Sequence, residues 1–396
     1  MTEEYREGGR RLAYLDGLRG VAAFVVLIGH SWQMFSQPIS SYQANDGISA
    51  LPAVLLKIIG LLANSNSAVC IFFLLSGYVL ADFAQATKLS LPAQIVRRYL
   101  RLAVPILITS TLAYVLLRWG LFRNAESARI FGEWAGMWYR FDPSFQAMAY
   151  EALVGTFTSG SNTYNPNLWT MHPEILGSCY VLLINPVAQS RRWRAALYAC
   201  VIAVYLWDYL PLFVIGAFLR EYDPIVQRLS RLPWIPAALC TVGFYFCTLP
   251  DSPPGGKLQV LYPILSFSYD NGRIGHSIGA VLLLTGVAAS QRAQRSLASR
   301  PARWLGNISF TLYLIHVPIL CSFGAWLIVT LAPQGSTFAA AIGLPLTLTL
   351  CLAASAALTP WVDGGAVTLS RQVGRRLDDA MRDPASPNAR VAPAVR

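Results

Sequence analysis

The sequence carries little charge for its length. Only 13% of its 396 residues are Asp, Glu, Lys or Arg, whereas 55% are hydrophobic. Soluble domains contain about 25% charged residues, because a water-exposed surface needs them. The shortage therefore argues against an ordinary soluble protein and indicates a chain solvated by lipid.

The sequence also lacks the signatures of several enzyme classes. It contains no GxSxG nucleophile elbow, no GxxxxGKS/T phosphate loop, no HExxH metal motif and no HxxxxD pattern. Its seven cysteines lie in or beside apolar segments and show no close pairing pattern. We therefore expect no covalent serine mechanism, no metal site and no disulfide framework.

What the sequence does contain is a series of apolar segments separated by polar loops. Most of them are long enough to cross a hydrocarbon core of about 30 Å as an α-helix. We predict an all-α transmembrane bundle of about ten spans, near residues 18–35, 68–83, 102–121, 167–186, 195–207, 209–219, 233–249, 274–290, 305–328 and 338–358.

Basic residues outnumber acidic ones, 31 against 20. With ten spans and the amino terminus inside, seven basic residues fall on the outer side, namely Lys57, Arg118, Arg123, Arg129, Arg140, Lys257 and Arg273. This asymmetry is what the positive-inside rule requires. We therefore predict a multi-pass protein of the cell membrane with both termini in the cytoplasm. The same topology accounts for the net charge of +11 without a nucleic-acid partner.

The chain divides into a cytoplasmic tail over residues 1–11, a membrane domain over 12–360 and a second cytoplasmic tail over 361–396. The first apolar segment has Asp16 and Arg19 at its start and no small-residue cleavage site after it, so we interpret it as a retained helix rather than a signal peptide. From Arg371 the chain shows no helical apolar stripe. We expect the end of this tail to be disordered.

Ionisable residues inside apolar segments are energetically costly and point to function. Arg19 and His30 are eleven residues apart in the first segment, a spacing that returns to nearly the same helix face about 16 Å further along. His316 lies at a similar depth in a segment that enters from the same side. Glu174 approaches the same layer from the outer side. We expect these three titratable groups to converge near the middle of the membrane.

Ser76 and Gly77 also lie about halfway through a predicted span, and Gly77 permits close helix approach. A neutral imidazole accepts a hydroxyl proton, and a nearby carboxylate can orient it. The polar layer therefore fits general-base chemistry.

Structural explanations compete with this interpretation. An intramembrane histidine such as His30 or His316 can simply bond a neighbouring helix. Glu174 follows Pro173, which fits a broken helix that faces water. The aromatic residues near the segment ends, including Trp134, fit interfacial belts.

Three arginines precede the third predicted span, namely Arg97, Arg98 and Arg101. The RxxR spacing places Arg98 and Arg101 on one helix face, where they can grip phosphate groups. Topology alone also places basic residues in a cytoplasmic loop, so both interpretations stay open.

Six motifs, taken in order, resemble the acyltransferase type 3 family of polytopic membrane O-acyltransferases. They are LDGLR at 15–19 with His30, FFLLSG at 72–77, RRYLRLAVP at 97–105, LWTMHPE at 168–174, FVIGA at 213–217 and LGNISFTLYLIH at 305–316. The resemblance covers residues 11 to about 360.

The resemblance implies an acyl-coenzyme A donor, usually acetyl-CoA, that enters from the cytoplasm as a co-substrate, with no bound cofactor. Arg97, Arg98 and Arg101 would bind its phosphates and Arg19 would line the path. His30 would be the general base or the relay for the acyl group, and Glu174 would orient or protonate. Supporting positions would be His316, Tyr313, Trp169, Asp16 and Ser76. The acceptor would be a hydroxyl of a sugar, glycan, lipid-linked glycan or secondary metabolite.

Two other classes remain as alternatives. Buried His and Glu also form proton relays in transporters, although the sequence shows no inverted repeat. A non-catalytic member that binds acyl-CoA would carry the same motifs.

Overall fold

The structure, a computed structural model, describes residues 3–35, 64–132, 134–188, 190–250 and 272–382. Every regular element in these ranges is a helix or a helical turn. The predicted all-α architecture is therefore confirmed for the described part of the chain.

We number the helices in chain order. They are α1 Glu3–Phe35, α2 Ser65–Ala86, α3 Leu91–Arg118, α4 Asn124–Phe131, α5 Phe145–Tyr150, α6 Met171–Val187, α7 Arg191–Val204, α8 Leu210–Glu221, α9 Asp223–Arg228, α10 Trp234–Cys247, α11 Gly272–Ala289, α12 Gln291–Leu297, α13 Arg300–Ile319, α14 Ala325–Leu331, α15 Ser336–Thr359 and α16 Gly365–Arg382. Short helical turns occupy some of the connections.

Six described helical segments are long and apolar enough to cross a membrane. They are Ala13–Phe35, Ser65–Ala86, Leu91–Arg118, Gly272–Ala289, Arg300–Gln334 and Ser336–Arg382. All ten predicted segments fall on helices, but α6, α7, α8 and α10 have 17, 14, 12 and 14 residues. Helices this short span a bilayer less readily. The number of ten spans and the side of the termini therefore stay predictions.

Glycines allow two pairs of helices to approach each other at backbone distance. A Cβ atom on Gly77 of α2 would lie 1.9 Å from the carbonyl oxygen of Phe213 in α8, and one on Gly216 would lie 2.1 Å from that of Leu74. In the same way, a Cβ on Gly20 of α1 would lie 2.3 Å from the nitrogen of Gly306 in α13. Neither crossing has space for a methyl group, so only glycine permits this geometry.

Replacing Gly77 by alanine should therefore destabilise the protein by about 1–3 kcal/mol or more, because backbone atoms cannot move aside as a flexible side chain does. Thermal unfolding of the purified protein in detergent measures this effect. Gly365→Ala is the matched control, since Gly365 is helical and has nothing within 4 Å of the added methyl. Equal unfolding temperatures for the two variants would contradict the close crossing.

The C-terminal part of the chain is more ordered than the sequence suggests. A wide helical turn, Pro360–Gly364, joins α15 to α16. Together they form one helical segment of 47 residues, about 70 Å long at 1.5 Å per residue. The predicted tail is thus helical as far as Arg382. The expectation of a disordered end concerns residues 383–396, which lie outside the described residues, as do Lys57 and Lys257.

The apolar stripe missing from this tail is replaced by small and polar residues. Its buried positions recur every four residues, at Ala366, Ser370, Gly374 and Asp378. Small side chains let α16 lie close against α3, where a Cβ on Gly374 would be 3.2 Å from the Cβ of Arg97. A search for large apolar residues at helical spacing overlooks such a stripe.

Candidate functional site

The structure brings His30 of α1 against His316 of α13. Nδ1 of His30 lies 2.9 Å from Nε2 of His316, and the two rings stack with centroids 5.1 Å apart. The close crossing of α1 and α13 at their glycines makes this contact possible, because it holds the two helix axes close together. Similar depth was predicted for the two histidines, but their direct hydrogen bond was not.

The hydrogen bonds define which nitrogen of each ring carries the proton when both rings are neutral. Nδ1 of His316 lies 2.9 Å from the carbonyl oxygen of Leu312. A carbonyl only accepts, so this nitrogen must donate, and Nε2 of His316 is left as an acceptor. Nδ1 of His30 must therefore donate to it. The lone pair of His30 then lies on Nε2, which is the form a general base requires.

Trp134 also packs against His30, with ring centroids 5.4 Å apart. The sequence interpretation assigned this tryptophan to an interfacial belt. Its position also makes it a neighbour of the histidine pair. It comes from the connection after α4, whose length and aromatic content are the only sequence signals that could have suggested this role.

Arg19 is held by α13 rather than by its own helix alone. Its Nε donates to the Ser309 hydroxyl at 3.1 Å, and its terminal nitrogen lies 3.4 Å from the Gly306 carbonyl. It also pairs with Asp16 at 3.1 Å, with both side chains nearly half exposed. Ser309 lies in the motif that ends in His316, so α13 contacts both Arg19 and His30.

Glu174 forms a second polar cluster, on α6. Its buried carboxylate accepts a hydrogen bond from the Ser76 hydroxyl at 2.6 Å and pairs with the Arg98 guanidinium. Nε of Arg98 also donates to the Ser178 hydroxyl at 3.0 Å. A buried carboxylate needs such partners, because an unpaired charge there costs several kcal/mol.

The expected meeting of Glu174 with His30 is therefore not formed in this structure. The carboxylate is bound by Arg98 and Ser76, and the imidazole is bound by His316. The physical reason is that a guanidinium offers a buried carboxylate full charge compensation, which a neutral imidazole does not. Glu174 therefore contacts Arg98 and Ser76 instead of the histidine.

Tyr313 lies between the two clusters. Its hydroxyl contacts that of Thr170 at 2.9 Å and the Asn167 carbonyl at 3.1 Å. Its ring centroid is 6.0 Å from that of His316. Trp169, the neighbouring predicted site residue, packs instead on Tyr209, with ring centroids 5.5 Å apart.

Pro318 leaves one backbone carbonyl of α13 without its helical hydrogen-bond donor. Proline has no N–H, so the carbonyl of Leu314, four residues earlier, loses its helical donor. The Asn165 side chain supplies a replacement at 2.7 Å. The side-chain amide of Asn167 donates to the neighbouring Tyr313 carbonyl at 2.8 Å. These asparagines were not predicted, although a proline inside a span is a signal that an outside donor is needed.

Two adjoining cavities connect these groups. The inner chamber, about 140 Å³, is lined by residues that include Arg19, Ser76, Arg98, Arg101, Glu174, Asn307, Ser309, Tyr313 and Asp363. The mouth, about 380 Å³, shares several of these and adds Asp16, Phe83, Gln94, Arg97, Ser370 and Arg371. Tyr313 lines the inner chamber and its ring is next to that of His316, whereas His30 and His316 are not part of either lining.

Asp363 and Arg371 are cavity residues that the sequence analysis did not single out. Asp363 pairs with Arg101 across 262 residues of chain. Asp363 and Arg371 belong to the segment that was predicted to be a tail, which is why they were missed. Within the described ranges, no group of three His, Cys, Asp or Glu side chains is placed to hold a metal ion.

Comparison with known proteins agrees with the motifs. The family model described as an acyltransferase domain, that of the type 3 acyltransferases, matches residues 12–356. Acyltransferase R4 of Phoma sp. is 27% identical, over 79% of this chain and 83% of the relative. Acyltransferase clz18 of Cochliobolus lunatus is 24% identical, with the same two coverages.

A third relative has a more specific name. O-acetyltransferase PaAT-1 of Phomopsis amygdali is 26% identical, over 79% of this chain and 73% of the relative. No solved structure matches the chain. With its apolar helices, its motif order and a family match over most of its length, the chain belongs to the acyltransferase type 3 family and is a membrane O-acyltransferase.

Proposed function

We propose that this enzyme transfers a short acyl group, above all acetyl, from acyl-coenzyme A to a hydroxyl of a sugar, glycan, lipid-linked glycan or secondary metabolite. The observation that carries the proposal is an arginine-lined mouth that narrows to a small chamber beside the histidine pair. Guanidinium groups bind phosphates well, and a coenzyme A donor brings several.

The size of the chamber supports a short acyl group. Its volume is about 140 Å³, and a cavity of about 150 Å³ is enough for one benzene-sized molecule. A fatty acyl chain is several times larger than that. The name of the O-acetyltransferase relative points in the same direction.

In the proposed reaction, Nε2 of His30 takes the proton of the acceptor hydroxyl as the oxygen attacks the thioester carbonyl. The carbon–sulfur bond breaks, and the coenzyme A thiolate leaves with the proton from the imidazolium. His316 accepts the Nδ1–H of His30 and stabilises the imidazolium that forms. Since Tyr313 lines the chamber and the two histidines do not, the proposal requires the Tyr313 ring to move aside during transfer.

Glu174 has a positioning role in this proposal. It keeps Arg98 in the wall of the chamber, and the Ser76 hydroxyl donates a second hydrogen bond to the Glu174 carboxylate. Asp363 does the same for Arg101. The predicted orientation, with both termini in the cytoplasm and the protein in the cell membrane, places the mouth on the side where acyl-coenzyme A is made.

The test uses the purified protein in lipid nanodiscs with radiolabelled acetyl-CoA or palmitoyl-CoA and a panel of hydroxyl acceptors. We expect label to move to an acceptor from acetyl-CoA, and about tenfold or more slowly from palmitoyl-CoA. Equal rates with the two donors would contradict the short-acyl assignment. Transfer from neither coenzyme A donor would contradict the donor class.

A further inference from the structure

The mouth holds more positive charge than the paired residues can neutralise. Five arginines line the two cavities, namely Arg19, Arg97, Arg98, Arg101 and Arg371. Three of them pair with carboxylates: Arg19 with Asp16, Arg98 with Glu174 and Arg101 with Asp363. Among the described residues, Arg97 and Arg371 make no ion pair. Two of the five positive charges therefore remain uncompensated.

The two uncompensated arginines line the same cavity, Arg97 from α3 and Arg371 from α16. The Arg97 guanidinium also experiences the charges of Arg371 and of Arg375, one turn further along α16. The Arg97 guanidinium lies 4.8 Å from the centre of the Phe83 ring, which restricts its position. Like charges held together repel each other, so a bound anion between them relieves a cost that the protein otherwise carries.

The fold holds α16 firmly in this place. The Asp378 carboxylate accepts a hydrogen bond of 2.7 Å from the backbone N–H of Ser90, just before α3 begins. Asp363, in the turn just before α16 begins, pairs with Arg101 of α3. Gly374 allows close approach in between. Arg371 is therefore presented to the mouth by three separate contacts along the helix.

We propose that Arg97 and Arg371 form a phosphate-binding pair for the coenzyme A donor, and that α16 is a wall of the donor site. This inference rests on the proposed function and extends it to a residue outside the segment 12–356 that the family shares. Arg98 and Arg101 already pair with carboxylates and line both cavities. The phosphates are then bound by Arg97 and Arg371.

The experiment is isothermal titration of coenzyme A and of pantetheine, which lacks the phosphates, into the full-length protein in phosphatidylcholine nanodiscs. Arg371→Gln is compared with Arg376→Gln. Arg376 is exposed on the same helix, about 140° around its axis from Arg371, and is not part of the mouth. Both variants lose one positive charge, so general electrostatics affects them alike.

We expect Arg371→Gln to raise the Kd for coenzyme A about tenfold, the value of one charge-assisted phosphate contact, and Arg376→Gln to leave it near wild type. Pantetheine should bind all three proteins alike. A wild-type Kd for Arg371→Gln, or an equal loss for pantetheine, would overturn the inference while the proposed donor stands. If the wild-type protein bound no coenzyme A, the proposed donor would fall first.

An anionic lipid headgroup is the other source of phosphate at this position. Repeating the titration in nanodiscs that contain phosphatidylserine separates the two. For a donor site, the ratio of the Kd values of Arg371→Gln and wild type should stay near ten in both lipids. A ratio near one in phosphatidylcholine, with weaker wild-type binding only in phosphatidylserine, would assign the pair to lipid and overturn the proposal.

Discussion

Replacing His30 by alanine is expected to lower the rate of acyl transfer by about 10²- to 10⁴-fold, the contribution of a general base. The reason is that Nε2 of His30 carries the free lone pair of the histidine pair, because the hydrogen bond to His316 occupies Nδ1. Steady-state transfer of label from acetyl-CoA measures the rate. Donor affinity should be unchanged, because His30 lines neither cavity.

His172→Ala is the matched control for this variant. His172 is the histidine nearest to Glu174 in sequence, and its Nδ1 lies 2.7 Å from the Phe157 carbonyl, away from the pair. Its loss should cost about 1 kcal/mol of stability and leave the transfer rate near wild type. Normal turnover in His30→Ala would remove the general base from the proposed mechanism, even though the family assignment would remain.

The second large effect is expected at His316, which acts through His30. His316→Leu removes the acceptor that fixes His30 in the required tautomer and stabilises its charged form. We expect the transfer rate to fall roughly hundredfold, at the lower end of the range for general-base catalysis. His316→Gln keeps an acceptor oxygen at a similar distance from the backbone, so it should recover a substantial part of that rate.

The comparison of these two variants separates positioning from folding. Both lose the hydrogen bond between the imidazole and the Leu312 carbonyl, so a purely structural role predicts the same loss of rate in both. The two variants should have the same unfolding temperature and the same Kd for coenzyme A, within error. Identical activities for the leucine and glutamine variants would show that the acceptor on residue 316 does not matter.

Much of the fold was readable because membrane insertion depends on local composition. Segments of apolar residues had to be helices, since lipid offers no partners for unpaired backbone groups. Helix bounds were less accurate where polar residues continue a helix beyond the apolar part. The third predicted segment begins at residue 102, whereas α3 begins at Leu91 and carries its arginines within the helix.

The candidate site was predictable as a set of residues but not as a set of contacts. Arg19, Ser76, Arg98, Arg101, Glu174 and Tyr313 line the inner chamber. Depth along a helix follows from counting residues. Which face of one helix meets which face of another depends on rotation about the helix axes, and packing alone decides that rotation.

The sequence by itself therefore determined the helical membrane class, the family motifs and the ionisable residues within apolar segments. Only the tertiary structure decided that His30 bonds His316 instead of a carboxylate, and that Asp363 and Arg371 of the supposed tail reach the cavity. The physical reason is that backbone contacts at Gly20, at Gly77 and along α16 set how the helices lie together. Such contacts join residues hundreds of positions apart, and no local pattern records them.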